Sequence, residues 1–249
     1  MTEQNQFSAK RMIAMLIDGD NAQPALIEEM LAEVSKYGRT TARRIYGDWT
    51  TPNMNGWKET LQEHAIQPMQ QFRNTVGKNA TDSAMIIDAM DILHSGAVGG
   101  FCLVSSDSDY TRLATRVREK GVFVMGIGQQ KTPKSFTNAC DLFVFTENLV
   151  SQVEKVGPKS KSQPTPSASV PITKALPLLK KAFKLCVQDD GWAHLGSVGS
   201  ALRDLDPSFD HRTYGCASLK ALIGKFSESV EAREEKKENG SAVVLVKFK

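Results

Sequence analysis

Acidic and amide side chains occur at three places in the sequence where they can act together in chemistry. The first is Asp18–Asn21, which reads Asp-Gly-Asp-Asn, the second is Asp82, and the third is Ser105–Asp109, with acidic residues at 107 and 109. Grouped carboxylates repel one another, so a site that keeps them together favours a bound cation. Oxygen ligands without neighbouring His or Cys indicate Mg²⁺ or Mn²⁺, and these metals commonly serve phosphate chemistry.

The first and third of these places each follow a predicted strand. The apolar run Met12–Ile17 ends in turn-type residues, which is typical of a strand buried on both faces of a parallel sheet. A second such run, Gly100–Val104, precedes Ser105. An open α/β sheet binds its ligand at the carboxyl ends of its strands, where the strand order reverses. We therefore expect strands one and four to be neighbours and the acidic residues to meet at that edge.

Strand and helix patterns alternate through residues 1–150, which predicts an α/β domain whose parallel sheet has helices on both faces. The stretch Thr81–Leu93 is apolar almost all round, so it is predicted to be a largely buried helix that begins beside Asp82. The other predicted elements are helices at 22–37, 57–64, 111–120 and from Thr132, and strands at 40–47, 66–72, 122–127 and 142–145.

The composition is that of an ordinary globular protein, since 41% of the 249 residues are apolar and 24% are charged. No apolar run reaches the roughly 18 residues that a membrane-spanning helix needs, and the N-terminal residues are polar. We therefore expect neither membrane insertion nor export. The four cysteines form no Cys-x-x-Cys pair, which favours a reducing compartment, the cytoplasm by default. The four histidines show no zinc-ligand or triad spacing, so they are expected to be structural.

Charge and composition divide the chain into two modules. Residues 1–150 hold 15 basic and 17 acidic side chains, whereas residues 151–249 hold 16 and 11. Residues 151–171 are predicted to be a flexible linker, because most of that stretch is Pro, Ser and Lys. Residues 172–249 are predicted to be a small winged helix-turn-helix domain, with helices at 176–187, 195–205 and 219–226 and two strands around a turn at 238–241.

Not every acidic residue is expected to bind metal. A single Asp after a strand is often only a turn former or a helix cap, but three separate stretches converging on one edge are harder to explain in that way. Asp88 lies six residues after Asp82, about 240° round a helix, so a supporting or structural role is expected for it.

Two familiar motifs that begin with Asp-Gly-Asp do not fit the first place. The sequence is similar to the nucleophile motif of haloacid dehalogenase-type phosphatases, but Ala22 stands where that motif has Thr or Val. It is also similar to the primase and topoisomerase metal motif, but only Glu3 precedes it where that fold has a catalytic Glu on an upstream strand. Asp20, which both motifs require, is therefore given a supporting role.

The motifs of residues 11–150 together resemble the NYN family of PIN-like nucleases, the group that includes LabA-type proteins, also called DUF88. The resemblance rests on the stretches Leu16–Asn21, Lys78–Asp82, Ser105–Tyr110 and Thr132–Asp141. It departs from the family at Asn79, where Gly is common. The resemblance implies a PIN-like parallel sheet flanked by helices and a ribonuclease activity that depends on Mg²⁺ or Mn²⁺.

Site residues follow from this resemblance. The implied metal ligands and catalytic residues are Asp18, Asp82, Asp107 and Asp109, and Asn21 would orient a metal-bound water or a ligand carboxylate. Supporting roles are expected for Asp20, Asp88 and Ser106. Arg73 and Lys78 lie in the loop before the Asp82 helix and are expected to steer phosphates. Trp49 follows the second predicted strand, where stacking on a base and packing in the core are equally expected.

The second module resembles an OST-HTH/LOTUS domain, on the stretches Asp190–Leu202, Leu205–Asp210 and Tyr214–Gly215. That family is linked to RNA binding or to protein interaction. Lys220 and Lys225 are candidates for phosphate contacts, and a merely solvated basic face is the alternative. The sequence therefore predicts a ribonuclease with a C-terminal module for RNA or a protein partner. A non-catalytic adaptor and a DNA-directed nuclease stay open, since no residue visibly reads a 2′-hydroxyl.

Overall fold

The computed structural model of the protein describes residues 11–72, 80–153, 170–236 and 242–249. The chain divides into two compact units, Met1–Val156 and Gly157–Lys249. The predicted turn at 238–241 and most of the predicted linker lie outside the described residues.

The first unit contains a six-stranded sheet in the order β3-β2-β1-β4-β5-β6, and every pairing is parallel. The predicted α/β class and the predicted neighbourhood of strands one and four are confirmed. β1 lies between β2 and β4, so the strand order reverses at β1. The strands are β1 Met12–Asp18, β2 Arg39–Gly47, β3 Gln67–Gln70, β4 Gly100–Val104, β5 Phe123–Gly128 and β6 Leu142–Phe145.

Helices cover both faces of this sheet, and β1 is buried between the two layers. Ile13, Met15 and Ile17 belong to one apolar core, whereas Ala14 and Leu16 belong to the other, and all five are fully buried. This alternation is what the period-two geometry of a strand produces when both faces are covered. The helices are α1 Ile27–Ser35, α2 Lys58–Glu63, α3 Ala80–Ser95, α4 Thr111–Glu119, α5 Lys134–Ala139 and α6 Thr146–Val153.

Helix α3 packs with one face only, so the prediction that it is largely buried is wrong. Met85 and Ala89 are fully buried, but Ile87 is 63% exposed. Apolar residues all round a helix do not fix which side meets the sheet, and here the buried side is the one that contacts β1 and β2. Helix α6 continues to Val153, three residues into the stretch predicted as linker, and its Leu149 is buried in the core.

The turn after β1 comes very close to the end of β2. The Gly19 N–H donates to the Tyr46 carbonyl oxygen at 2.9 Å. A Cβ atom at position 19 would lie 2.8 Å from that oxygen and 2.6 Å from Cε of Met54. Because glycine has no Cβ, it fits this close approach, and the chain can turn between Asp18 and Asp20.

Among its described residues, the second unit has three α-helices and a small antiparallel sheet in the order β7-β9-β8, in agreement with the predicted winged helix-turn-helix class. Its core includes Leu179, Val198, Leu202 and Leu222, one or more from each helix. The elements are α7 Leu176–Cys186, β7 Ala193–His194, α8 Leu195–Leu205, α9 Leu219–Gly224, β8 Val230–Lys236 and β9 Ala242–Phe248. Within the described ranges, no helix is both long and apolar enough to cross a membrane.

We expect Gly19→Ala to lower the free energy of unfolding of the first unit by about 1–3 kcal/mol, because the added methyl group would overlap a backbone oxygen that cannot move independently. Urea denaturation followed by tryptophan fluorescence measures this, since Trp49 and Trp57 lie in that unit. Gly56→Ala is the control, because its Cβ would meet only Pro24 at 3.4 Å. Equal stability of the two variants would contradict this explanation of Gly19.

Candidate functional site

Three carboxylates meet where the structure brings the end of β4 beside the start of α3. One ligand oxygen from each of Asp82, Asp107 and Asp109 lies within 4.8 Å of the other two. Asp82 and Asp107 are partly buried and Asp109 is exposed, so the group, which we call the acidic cluster, is open to solvent on one side. Three of the four predicted ligands are therefore brought together.

Hydrogen bonds orient two members of the acidic cluster. The Tyr110 hydroxyl donates to Oδ1 of Asp82 at 2.7 Å, and Tyr110 itself is fully buried. Asp107 caps the short 3₁₀ turn Ser108–Tyr110, and its Oδ1 accepts from the Asp109 N–H at 2.9 Å. The local turn thus fixes the spacing of Asp107 and Asp109. It also places Tyr110, which orients Asp82 on the separate helix α3.

Asp18 lies outside the acidic cluster among the residues that the structure describes, and it is only 1% exposed. Its Oδ1 accepts from the Asp20 N–H at 3.1 Å, and its Oδ2 accepts from Asn21 Nδ2 at 2.6 Å and from Ser105 Oγ at 2.9 Å. These donors satisfy a carboxylate that has little water around it. Asn21 therefore orients a carboxylate, which is one of its two predicted roles.

The electrostatics of the site disfavour unneutralised carboxylates. Burial raises the pKa of Asp18, the hydrogen bonds from Asn21 and Ser105 act in the opposite direction, and the charge of Asp82 adds a smaller upward contribution. Burial also raises the pKa of Asp82, and the charges of Asp107, Asp109 and Asp20 add to this shift. The Tyr110 hydrogen bond acts in the opposite direction. A cation at the acidic cluster would relieve this repulsion.

Ser105 and Tyr110 donate hydrogen bonds to acidic residues of the site, and neither bond was predicted from the sequence. Ser106, the serine predicted to support the acids, instead accepts from the Gln129 N–H at 2.9 Å. Its neighbour Ser105 donates to Asp18 and accepts from the Asp107 N–H at 3.0 Å, so it joins two of the three acidic stretches. The available signal was its position directly after the last strand residue, where side chains reach the ligand edge.

Asp88 ties helix α3 to the sheet and does not contact the acidic cluster. Its carboxylate accepts hydrogen bonds from the Arg44 guanidinium and from the Tyr46 hydroxyl, both on β2. The interaction with Asp88 raises the pKa of Arg44, and burial together with Asp88 raises that of Tyr46. This agrees with the supporting or structural role expected for Asp88, because it holds the helix that carries Asp82.

The residues predicted to contact RNA lie in different settings. Trp49 packs partly against the core and donates from Nε1 to the Met69 carbonyl oxygen at 3.2 Å, which is the packing alternative for this residue. Lys220 forms an ion pair with Glu234. Lys225 is exposed, with no ion pair to another described residue. Two further candidates, Arg73 and Lys78, lie outside the described residues.

The fold and the acidic cluster define a class, that of PIN-like α/β domains with carboxylates at the carboxyl ends of a parallel sheet. The family model of the NYN domain matches residues 12–149, more than half of the chain, and that of the OST-HTH/LOTUS domain matches residues 167–241. The chain therefore belongs to the NYN domain family and carries a C-terminal OST-HTH/LOTUS domain. NYN domains are PIN-like nucleases and OST-HTH/LOTUS domains bind RNA, which gives the general kind of function.

Solved structures add little to this assignment. A protein of unknown function from Vibrio parahaemolyticus is 19% identical, with a TM-score of 0.46, over 57% of this chain and 94% of that one. An uncharacterised protein from Nitrosomonas europaea is 30% identical, with a TM-score of 0.28, over 37% and 92%. MurG from Acinetobacter baumannii is 14% identical, with a TM-score of 0.36, over 80% and 64%. None of the three likenesses supports a function for this chain. No curated protein matches the chain significantly.

We expect Ser105→Ala to lower the free energy of unfolding by about 1–3 kcal/mol, because it removes a donor from a buried carboxylate. Ser106→Ala removes a hydrogen bond to an N–H that borders solvent and is expected to cost less. Urea denaturation of the two variants at one pH compares the two serines. A larger loss in Ser106→Ala would contradict the role given to Ser105.

Proposed function

We propose that this protein is a metal-dependent ribonuclease that hydrolyses the phosphodiester bonds of RNA. The observation that carries the proposal is the acidic cluster, in which oxygens of Asp82, Asp107 and Asp109 lie within 4.8 Å of one another. Three oxygen donors of this kind fit Mg²⁺ or Mn²⁺. When bound, such a metal activates water and neutralises charge on the leaving oxygen. The match of the NYN family model to residues 12–149 is the second support.

In this proposal the protein's own side chains bind, orient and hold charge, and none attacks phosphorus. Tyr110 and the Asp109 N–H hold the carboxylates of Asp82 and Asp107 in fixed directions. Their conformations are therefore set before RNA arrives, which lowers the entropic cost of reaching the reactive geometry. The partial exposure of the acidic cluster leaves one side open for a phosphodiester.

Asp18 is the fourth acidic residue of the proposal. A carboxylate oxygen can accept two hydrogen bonds. Oδ2 of Asp18 accepts two, from Asn21 and Ser105, whereas Oδ1 accepts one, from the Asp20 N–H. Oδ1 therefore keeps the capacity to meet a cation, and we retain Asp18 as a proposed ligand whose direction Asn21 sets.

The C-terminal domain is proposed to capture RNA, with a protein partner as the alternative occupant. Because it is covalently joined to the nuclease domain, bound RNA has a raised effective concentration at the acidic cluster. Lys225 is the better candidate for a phosphate contact, since Glu234 already neutralises Lys220. We place this activity in the cytoplasm.

We expect Asp107→Asn to reduce cleavage of single-stranded RNA in Mn²⁺ by more than about 100-fold, because the site loses a charged ligand and even outer-sphere changes cost about 10–100-fold at metal sites. The measurement is release of labelled fragments from RNA, DNA and duplex substrates by purified protein, with and without EDTA.

Asp91→Asn is the matched control for Asp107→Asn. Asp91 is an exposed aspartate of α3, so the substitution removes the same charge from the same unit without touching the acidic cluster. Undiminished cleavage by Asp107→Asn would remove the proposed mechanism. Cleavage of DNA in preference to RNA would remove the ribonuclease assignment.

We expect Lys225→Gln to weaken binding of single-stranded RNA about two- to tenfold and to make its salt dependence shallower by about 0.7 in log–log slope, since one phosphate contact is lost. Lys220→Gln serves as comparison and is expected to have the smaller effect. Fluorescence anisotropy in EDTA measures both. If Lys225→Gln binds RNA as tightly as the unsubstituted protein, Lys225 is no part of the RNA-binding surface.

A further inference from the structure

A second cluster of like charges lies at the opposite edge of the first unit's sheet. A groove of about 970 Å³ is lined by Arg11, Arg39 and Arg43 and by the hydroxyl side chains of Ser35, Thr40 and Thr41, and apolar side chains and glycines form the rest of its wall. No acidic residue lines it among the described part of the chain. We call it the arginine groove.

The arginine groove lies at the amino ends of the strands. β1 begins at Met12, directly after Arg11, and β2 begins at Arg39. The acidic cluster lies at the carboxyl ends, roughly 20 Å away for a seven-residue strand. The arginine groove is therefore a separate place, and it cannot contribute to holding the metal of the acidic cluster.

The guanidinium groups of the groove are only partly engaged with the protein. Arg11 lies over the Phe123 ring, 4.3 Å from its centroid, which restricts the guanidinium without neutralising it. Arg43 donates one N–H to the His64 carbonyl oxygen at 2.7 Å and keeps its others. Arg39 is exposed, and among the described residues neither Arg39 nor Arg11 has a carboxylate partner.

A structural purpose explains this arrangement poorly. Charged side chains on an outer strand discourage unwanted pairing with other strands. β2 is an inner strand, but its pairing with β3 begins only at Arg44, so its first residues border the outside of the sheet. Protection of that stretch needs charges on β2 alone, whereas the groove also takes Arg11 from the segment before β1. The register of β1 and β2 shifts between Ile13 and Ala14, which leaves Thr41 as an extra residue, and such bulges commonly re-aim side chains next to binding sites.

We propose that the arginine groove binds phosphate groups, supplied either by an RNA backbone or by a free nucleotide. Arginine keeps its charge at all relevant pH values, and its planar fork of N–H groups matches a phosphate with two parallel hydrogen bonds. The groove brings together three guanidinium groups and no carboxylate, so it attracts an anion. This local positive charge stands out because residues 1–150 hold more acidic than basic side chains. The groove's volume lies in the range of sites that enclose a nucleotide-sized ligand.

The test is equilibrium binding by the full-length protein in EDTA, where no metal-dependent cleavage occurs. One arm measures a labelled 12-nucleotide single-stranded RNA by fluorescence anisotropy, and the other measures AMP by isothermal titration calorimetry. The variant is Arg39→Gln, at an exposed position whose side chain makes no hydrogen bond to a described residue, and Arg11→Gln repeats the test from the other wall. Arg116→Gln on α4 is the control, since it removes the same charge from an exposed arginine outside the groove.

Arg39→Gln is expected to weaken binding about three- to tenfold in at least one arm, and for RNA to make the salt dependence shallower by about 0.7 in log–log slope. A loss confined to RNA identifies the polymer backbone as the source of phosphate, and a loss confined to AMP identifies a free nucleotide. Arg116→Gln should bind as the unsubstituted protein does. If neither ligand is affected by Arg39→Gln or Arg11→Gln, or if Arg116→Gln causes an equal loss, the proposal is wrong. Cleavage is not measured, so this result is independent of the nuclease assignment.

Discussion

Repulsion among carboxylates at the carboxyl ends of β1 and β4 is the constraint to which the rest of the first unit responds. Burial is the largest cost to the ionised form of Asp82 and raises its pKa, and the charges of Asp107, Asp109 and Asp20 add to that cost. The fold supplies partial compensation through donors such as Tyr110 and Ser105. Those donors orient the carboxylates, but they bring no net positive charge. The remaining imbalance is what a divalent cation would neutralise.

The position of each acidic residue depends on packing far from the site. β1 is buried by helices on both faces, and this fixes where it ends and where Asp18 begins the turn. The ion pair between Asp88 and Arg44, with Tyr46 as a second donor, holds α3 against β2. That helix carries Asp82 to the end of β4. Secondary structure, core packing and one partly buried ion pair therefore act together to assemble three separate stretches of sequence.

Sequence patterns predicted the parallel sheet, the adjacency of β1 and β4 and the convergence of acidic stretches, because strand periodicity and strand-end chemistry are local properties. They could not distinguish Ser105 from Ser106, since the two have the same chemistry and only the direction of the chain at the end of β4 separates them. The one-sided burial of α3 was equally inaccessible, because its apolar residues surround the helix. The hydrogen bond from Tyr110 to Asp82 could not be predicted, because the two residues are 28 positions apart in the sequence.

Sequence patterns also could not predict the arginine groove, the proposed phosphate site. Arg11 and Arg39 are far apart in sequence and become neighbours only through the pairing of β1 with β2, where the Arg39 N–H donates to the Arg11 carbonyl oxygen at 2.8 Å. The result is a domain with anionic and cationic groups at opposite edges of one sheet.

Anomalous X-ray diffraction from crystals soaked in MnCl₂ tests whether Asp82, Asp107 and Asp109 together hold a divalent metal. We expect one or more anomalous peaks within coordination distance of oxygens from all three aspartates, with Asp18 as an added ligand of the same site. Manganese peaks only elsewhere on the protein, with these carboxylates contacting no metal at saturating MnCl₂, would contradict it.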